Sequence, residues 1–264
     1  MKQFANHILF NMLLMSLGLL ITQLTFAEGE NAIFTAANDA FVAGDYPAAQ
    51  ESYESLLAEG YSSSDLYYNL GNVHYKLGHI APSILNYERA LKLDPSHKDA
   101  EFNLRLANLR VVDNLKPVPR LFLMQWILDW YGSRSAGQWA QLSLILIWLA
   151  MGLGAAFLMI NHPIIKRIGF FGGIILLAGS LLTTGISLSR LSTEENDNQG
   201  DAIIFTPNAY VKDAPEGKTD LLILHEGVKV QMEDQIGNWI KISLDDANIG
   251  DVVGFVEADA IRKI

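Results

Sequence analysis

Residues 64–97 read SDLYYNLGNVHYKLGHIAPSILNYERALKLDPSH, and this stretch decides the fold of the first half of the chain. Its apolar and aromatic residues follow a helical period, which predicts two amphipathic helices. Leu77-Gly78 marks the turn between the helices, and Asp94-Pro95 marks the end of the second one. The stretch therefore predicts a unit of two helices joined by a short turn.

The same pattern recurs at a fixed interval, which is the distance in sequence from Tyr53 to Tyr87. Moving the frame back by one interval places these two tyrosines in register, so a more degenerate unit covers about 30–63. Moving the frame forward leaves a single helix at 98–112, which begins a third unit and caps the array. Because each helix pair buries only part of its apolar face, the units must stack. So short an array is expected to need support from the membrane segment or from a partner.

The unit resembles the tetratricopeptide repeat. The family's aromatic, Leu, Ala and Pro positions are occupied by Tyr67, Leu70, Tyr87, Ala90 and Pro95, with Ser83 and His74 where Ala and Tyr are usual. The resemblance implies an all-α solenoid that binds extended peptides on the concave face formed by the first helix of each pair. It places six candidate groove residues on that face: Tyr68, Asn72, Tyr75, Lys76, Phe102 and Asn103.

Two of these candidates coincide with a known variant of the family's groove. Asn72 and Asn103 match the asparagines of the carboxylate clamp, which captures the C-terminal carboxylate of a peptide. Tyr68 stands where the clamp has a lysine, and the clamp's arginine is missing as well. We therefore expect Asn amides and Tyr hydroxyls to pair with a ligand's backbone rather than to form a clamp. The alternative is that these side chains only solvate the groove.

The N-terminus has the order of a secretory signal peptide. Lys2 gives a basic start, an apolar run follows from Ile8 to Leu20, and Ala27 ends the segment before the acidic Glu28. Cleavage is expected after Ala27. The alternative is an uncleaved anchor, which would leave the next domain on the same side of the membrane.

Two later apolar runs, 142–160 and 168–189, contain no charged residue. Each is long enough to cross roughly 30 Å of hydrocarbon as a helix. Lys166 and Arg167 lie in the short segment between the runs, and positively charged loops tend to stay in the cytoplasm. The sequence therefore predicts a two-pass protein of the bacterial inner (cytoplasmic) membrane, with its N-terminal and C-terminal domains in the periplasm.

Small residues recur within both apolar runs. Gly152-x-x-x-Ala156 lies in the first run and Gly169-x-x-x-Gly173 in the second. Such spacing lets two membrane helices approach closely. Packing within the hairpin is favoured over packing between two molecules.

An aromatic segment at 117–135 precedes the hairpin. The prolines of Lys116-Pro-Val-Pro119 break the helical pattern before it, because proline has no backbone N–H. Segments rich in Trp and Tyr are typical of membrane interfaces. The sequence leaves two alternatives open: a short helix that lies on the membrane surface, or a helix packed on the repeats.

The C-terminal region, 202–264, consists of short runs rich in Val, Ile and aromatic residues between Gly, Pro, Asn and Asp, which predicts a small antiparallel barrel or sandwich. It resembles the bacterial SH3 domain in Leu224-His-Glu-Gly227, in the Gly237-Asn-Trp239 turn and in Gly254-Phe-Val256. That last motif usually reads Gly-Trp-Val. The resemblance implies an all-β SH3-like barrel, but the missing Trp argues against the family's aromatic ligand groove.

Composition excludes several classes of function. The net charge is −10, with 13 acids against 8 bases in 28–120 and 15 against 7 in 190–263. Nucleic-acid binding needs a clustered basic face, so no nucleic-acid partner is expected. The chain has no cysteine, which rules out disulfides and thiolate metal sites.

No motif for catalysis or for a cofactor is found. The six histidines lack the spacing of metal ligands. Asp246-x-Asn248-x-Gly250 superficially resembles a calcium loop, but its glycine comes one position early and no Glu follows, so a solvated turn is predicted. No phosphate loop or Gly-x-Ser-x-Gly elbow is present. The sequence predicts a protein without catalytic residues, metal or cofactor.

The order of these segments resembles BatE-type proteins of the bacterial Bat, or aerotolerance, operons. The resemblance implies an envelope adaptor linked to stress tolerance, with membrane-anchored von Willebrand factor A-type proteins of the same operon as partners and a MoxR-type ATPase nearby. One alternative is a cell-wall-binding or sensing module that recognises peptidoglycan peptides through the SH3-like domain. Another is a subunit that acts in cytochrome maturation.

The predicted fold is therefore a multidomain membrane protein: an all-α tetratricopeptide-repeat solenoid, a two-helix transmembrane hairpin and an all-β SH3-like barrel. The predicted boundaries are a signal peptide at 1–27, a repeat domain at 28–116, an aromatic segment at 117–135, transmembrane helices at 138–160 and 168–189 around a cytoplasmic turn at 161–167, a linker at 190–201 and an SH3-like domain at 202–264.

Overall fold

The computed structural model describes residues 27–113, 115, 122–160, 162–195, 200–246 and 250–264. The predicted signal peptide up to Phe26, the helix break at Lys116–Pro119 and residues 196–199 of the predicted linker lie outside these ranges, as do 247–249 of the predicted solvated turn. The helices are α1 (Ala27–Val42), α2 (Tyr46–Ala58), α3 (Ser64–Leu77), α4 (Ile80–Leu93), α5 (Lys98–Asn108), α6 (Phe122–Gly132), α7 (Ala136–Met159) and α8 (Pro163–Glu195). The strands are β1 (Gly200–Ile204), β2 (Asn208–Lys212), β3 (Asp220–His225), β4 (Lys229–Ile236), β5 (Trp239–Asp246), β6 (Gly250–Glu257) and β7 (Ile261–Lys263).

The first five helices form two pairs, α1 with α2 and α3 with α4, followed by the single helix α5. Gly44 and Gly78 lie one repeat interval apart at the turn inside each pair, and their φ angles are 81° and 82°. Glycine adopts this left-handed conformation without steric cost. The two units thus share one turn geometry, although their sequences are only weakly alike.

Tyrosine fills the core of each unit. Tyr53 and Tyr87, which are also separated by one interval, are both 1% exposed. Gly71 on α3 makes room for the second ring, since a Cβ at that position would lie 2.6 Å from Tyr87 Cε1. The helical repeat predicted from the sequence is confirmed in this part of the chain.

Helices α7 and α8 are both long and apolar enough to cross a membrane. They pack side by side, and hydroxyls join them: the buried Ser143 Oγ lies 3.0 Å from Ser180 Oγ and 2.7 Å from Thr184 Oγ1. A Cβ at Gly169 would lie 2.9 Å from the carbonyl oxygen of Leu153, so this glycine allows the close approach within the hairpin. The prediction for Gly152 is wrong, because no atom lies within 4 Å of the position of its Cβ.

The segment between the two long helices is shorter than predicted. Helix α8 begins at Pro163, so Lys166 and Arg167 lie in its first turns rather than in a loop. Proline suits the start of a helix, where its missing N–H would have no partner and its φ is already helical. The two basic residues still mark the end of the hairpin at which the chain reverses.

Helix α6 is fixed to the opposite end of the hairpin. The ring of Trp130 packs edge-on against Trp139 of α7 at 4.9 Å, and Trp139 Nε1 donates to the carbonyl oxygen of Tyr131 at 3.3 Å. Arg190 of α8 donates to the carbonyl oxygens of Tyr131 and Arg134. The start of α7 and the end of α8 therefore meet beside α6.

The strands form one antiparallel sheet in the order β3-β2-β6-β5-β4-β1-β7. Its core contains Val211, Leu224, Ile242 and Val256, each at most 2% exposed. The antiparallel sheet is confirmed, and β7, which the sequence pattern missed, pairs with β1. The pairing leaves β3 and β7 at the two ends of the order, so closure into a barrel stays a prediction.

Candidate functional site

The groove face, defined here by the six candidate residues, is formed by α3 and α5. Tyr68, Asn72 and Tyr75 are spaced four and three residues apart, which puts them on one side of α3. All three are half-buried, as is Asn103 of α5. Lys76 is exposed, and Phe102 of α5 is 53% exposed.

A hydrogen-bonded network joins α3, α4 and α5 under this face. Asn72 Oδ1 accepts from the hydroxyl of Tyr87 at 2.7 Å and from Asn103 Nδ2 at 2.8 Å. The Tyr68 hydroxyl lies 3.4 Å from the same Asn103 nitrogen. Burial raises the pKa of Tyr87 well above its ordinary value, so this phenol stays protonated and serves as a donor. The two asparagines therefore tie neighbouring units together.

The same network occurs one interval earlier in the chain. Asn38 Oδ1 accepts from the Tyr53 hydroxyl at 2.5 Å and from Asn69 Nδ2 at 3.0 Å. Each of these residues precedes its counterpart by one repeat interval. Burial raises the pKa of Tyr53 to about 12, which again keeps the phenol as a donor. The repeated internal network is thus a structural element of the array. The sequence pattern did not predict that its asparagines bond to buried tyrosines.

The network ends at α5. Leu106 stands one interval after Asn72, so the third unit lacks the oxygen that accepts from a following unit. Leu106 is 37% exposed and Leu109 is 82% exposed. Within the described part of the chain the array therefore stops at this helix, and α5 forms one wall of the groove face.

Aromatic rings and cations surround the network. The Arg110 guanidinium lies over the Tyr75 ring at 5.5 Å, and that of Arg105 lies over the Phe102 ring at 5.9 Å. Such contacts hold both a ring and a positive charge at the surface. Arg105 is also paired with Glu101 at 2.6 Å. The face thus presents aromatic surface beside this ion pair and the Arg110 guanidinium, a combination suited to an extended peptide with apolar side chains.

The hydrogen bonds of the network determine which atoms of the two clamp asparagines can contact a peptide. They use the oxygen of Asn72 and the nitrogen of Asn103, and they do not involve Asn72 Nδ2 or Asn103 Oδ1. The latter two atoms are the donor and the acceptor that the pair can offer to a peptide backbone. Among the described residues, no group of three or more His, Asp and Glu side chains is arranged to hold a metal ion.

Comparison with known proteins identifies one segment of the chain. No significant match was found among curated proteins. The family model of the tetratricopeptide repeat matches residues 64–97, which are α3, α4 and the turn that follows them. This repeat is a non-catalytic fold typically used for protein interaction. Residues 64–97 are thus a tetratricopeptide repeat, at the centre of the face that carries the candidate residues.

Proposed function

We propose that the protein is a membrane-anchored adaptor whose groove face binds an extended segment of a partner protein. The observation that carries the proposal is the arrangement on α3 and α5, where half-buried Tyr and Asn side chains lie beside the exposed Phe102 and Lys76. Asn72 and Asn103 offer hydrogen bonds to the backbone, while the aromatic rings offer apolar contact. The protein has no catalytic role in this proposal.

The hairpin supports an arrangement with both soluble modules on one membrane face. Ser187 of α8 donates to the carbonyl oxygen of Ala136 at 2.9 Å, so the start of α7 and the end of α8 lie side by side. The array precedes α7 in the chain and the sheet follows α8, so both are connected to the hairpin at this end. Lys166 and Arg167 lie at the opposite end, which the positive-inside rule assigns to the cytoplasm. Both modules are then periplasmic, in a bacterial inner membrane.

The resemblance to BatE-type proteins suggests which partner to expect. Membrane-anchored von Willebrand factor A-type proteins of the same operon would lie on the same membrane face as the groove. We propose an envelope complex of this kind, linked to stress tolerance, as the setting of the adaptor.

The experiment is site-specific photo-crosslinking in membranes from cells that produce the full chain. A benzoylphenylalanine replaces Phe102 on the groove face or, as a matched control, Leu93 at the end of α4, which is 40% exposed. We expect a crosslink to a von Willebrand factor A-type protein from position 102 and none from position 93. Equal yields at the two positions, or no crosslinked protein at position 102, would refute the adaptor.

Topology is tested with reporter fusions to the same chain. Fusions after Lys116, at Lys166 and at Ile264 should report periplasm, cytoplasm and periplasm. A cytoplasmic C-terminus would contradict the proposed arrangement while leaving the groove itself unaffected.

A second candidate function is binding of peptidoglycan peptides by the C-terminal sheet. Tyr210 and Ile223 are neighbours on paired strands and are 50% and 45% exposed. An exposed apolar pair of this kind can contact a ligand. Retention of the full chain on purified sacculi, and its loss in a Tyr210→Ser variant, would favour this function over the adaptor.

A further inference from the structure

Among the residues that the structure describes, the single helix α5 ends the array without a second helix of its own unit, and the C-terminal sheet occupies the space beside it. Strand β1 lies against α4, the second helix of the preceding unit. In a complete array, the missing helix would pack on α4 and α5 at this place. Contacts between the sheet and these helices are called the sheet interface below.

Apolar contacts form the centre of the sheet interface. Ile203 of β1 is fully buried, and it belongs to a cluster with Ile84 and Tyr87 of α4 and Ala107 of α5. Its neighbours in β1 instead fill the core of the sheet. Val111, just after α5, packs against both clusters. The core of the array is therefore continuous with that of the sheet.

The turn between β3 and β4 approaches the helices so closely that only glycine fits. Gly227 has a φ of +90°, and a Cβ there would lie 2.8 Å from Val111 Cγ2 and 3.1 Å from Ile84 Cδ1. Backbone conformation and packing thus both require glycine. The backbone of the turn rests directly on α4 and on the segment after α5.

Polar contacts surround the apolar centre. Asp113 accepts from the His225 backbone N–H at 2.7 Å, and its other oxygen lies 2.8 Å from His225 Nδ1. Lys229 Nζ lies 2.9 Å from both Glu88 Oε2 and Asp201 Oδ2. Burial alone lowers the pKa of Lys229, but the two carboxylates raise it above its ordinary value, so the lysine stays charged. These pairs fix the orientation of the sheet.

We infer that the C-terminal sheet takes the place of the missing second helix and holds α5 in position, so that the groove face is complete only while the sheet is docked. Helix α5 supplies Phe102 and Asn103 to that face, and its buried side is held by the sheet interface. The sheet is a positioning element for the groove rather than an independent module. This inference goes beyond the proposed function, because it holds whether or not a partner binds.

The test is amide hydrogen exchange of the full chain in phosphatidylcholine nanodiscs with no partner added. Ile203→Ser removes an apolar side chain of the sheet from the centre of the sheet interface. Val111→Ser removes an apolar side chain that follows α5 from the same place. In both variants we expect α5 to exchange at least about tenfold faster than in the parent chain. The control Ile223→Ser changes an exposed isoleucine of the same sheet and should leave α5 at the parent rate. Parent-level protection of α5 in both interface variants would overturn the inference.

A double-mutant cycle separates docking from a general loss of fold. Asp113→Asn and His225→Gln are each mild changes at one edge of the sheet interface. If the sheet holds α5, their effects on α5 exchange are coupled by at least about threefold. Independent effects, which multiply without coupling, would contradict the inference. Crosslinking at the groove plays no part in either measurement, so failure of the adaptor proposal would be recognised separately.

Discussion

The two sides of the helical array are stabilised in different ways. The groove face rests on a polar network that recurs after one repeat interval, as in Asn38 with Tyr53 and Asn72 with Tyr87. The sheet interface is apolar at its centre and occurs once. It joins residues far apart in the chain, such as Asp113 and His225. Repetition makes the first side modular, whereas the second fixes where the array ends.

The largest effect is expected from a substitution that disrupts only the sheet interface. Gly227→Ala places a Cβ against Val111 and Ile84 at a positive φ, which together should lower the free energy of unfolding by about 3 kcal/mol. Gly237→Ala is the matched control, because Gly237 also has a positive φ but no atom within 4 Å of its Cβ position. Thermal melting of the full chain in detergent should show a clearly larger loss for Gly227→Ala. Equal losses would mean that the turn does not press on the helices.

The next largest effect is expected from substitutions that disrupt the polar network under the groove face in each unit. Asn72→Ala and Asn38→Ala each leave a buried tyrosine hydroxyl without its acceptor, so each should cost about 2 kcal/mol. The measurement is native-state hydrogen exchange of α3, because this helix contributes Asn69 to the first network and Asn72 to the second.

The comparison between the two asparagine variants is the sharper part of that test. Similar costs would confirm that the networks are equivalent across the repeat. Asn108→Ala is the control, because Asn108 is an exposed residue at the end of α5 and its change should stay within about 0.5 kcal/mol. A negligible cost at Asn38 beside a large cost at Asn72 would show that only the second unit depends on its network.

The helices that carry the candidate groove residues could be predicted from the sequence because the helix pair repeats. The resemblance to the tetratricopeptide repeat placed Asn72 and Asn103 on the first helices of successive units, and they lie on α3 and α5. The resemblance did not assign their hydrogen bonds, because Asn72 Oδ1 also accepts from Tyr87, which the sequence identified only as an aromatic position of the repeat. Comparison of Asn38, Tyr53 and Asn69 with their counterparts would have revealed the network, because all three positions recur together.

The sheet interface could not be predicted in the same way. Sequence patterns report local periodicity, and nothing local links Ile203 in a strand to Ile84 in a helix. The sequence predicted Gly227 as part of a turn that resembles one in bacterial SH3 domains, yet its contact with Val111 depends on how the sheet docks on the helices. The prediction for Gly152 was wrong for a related reason, since spacing alone does not tell which side of a helix faces its neighbour.

The smallest expected effect concerns His74, which lies inside the array on neither of these two sides. Burial lowers the pKa of His74 below its ordinary value of 6.5, so the folded chain resists protonation more than the unfolded chain does. The free energy of unfolding should therefore keep its full value above pH 6.5. It should fall as the pH drops from 6.5 toward the pKa of His74 in the folded chain. Ala40 holds the equivalent place in the first unit, so the effect belongs to the second unit alone. Melting temperatures across this pH range should lose part of their slope in His74→Phe and keep it in His162→Gln, which changes an exposed histidine before α8. An unchanged slope in His74→Phe would contradict the assignment of this acid sensitivity to His74.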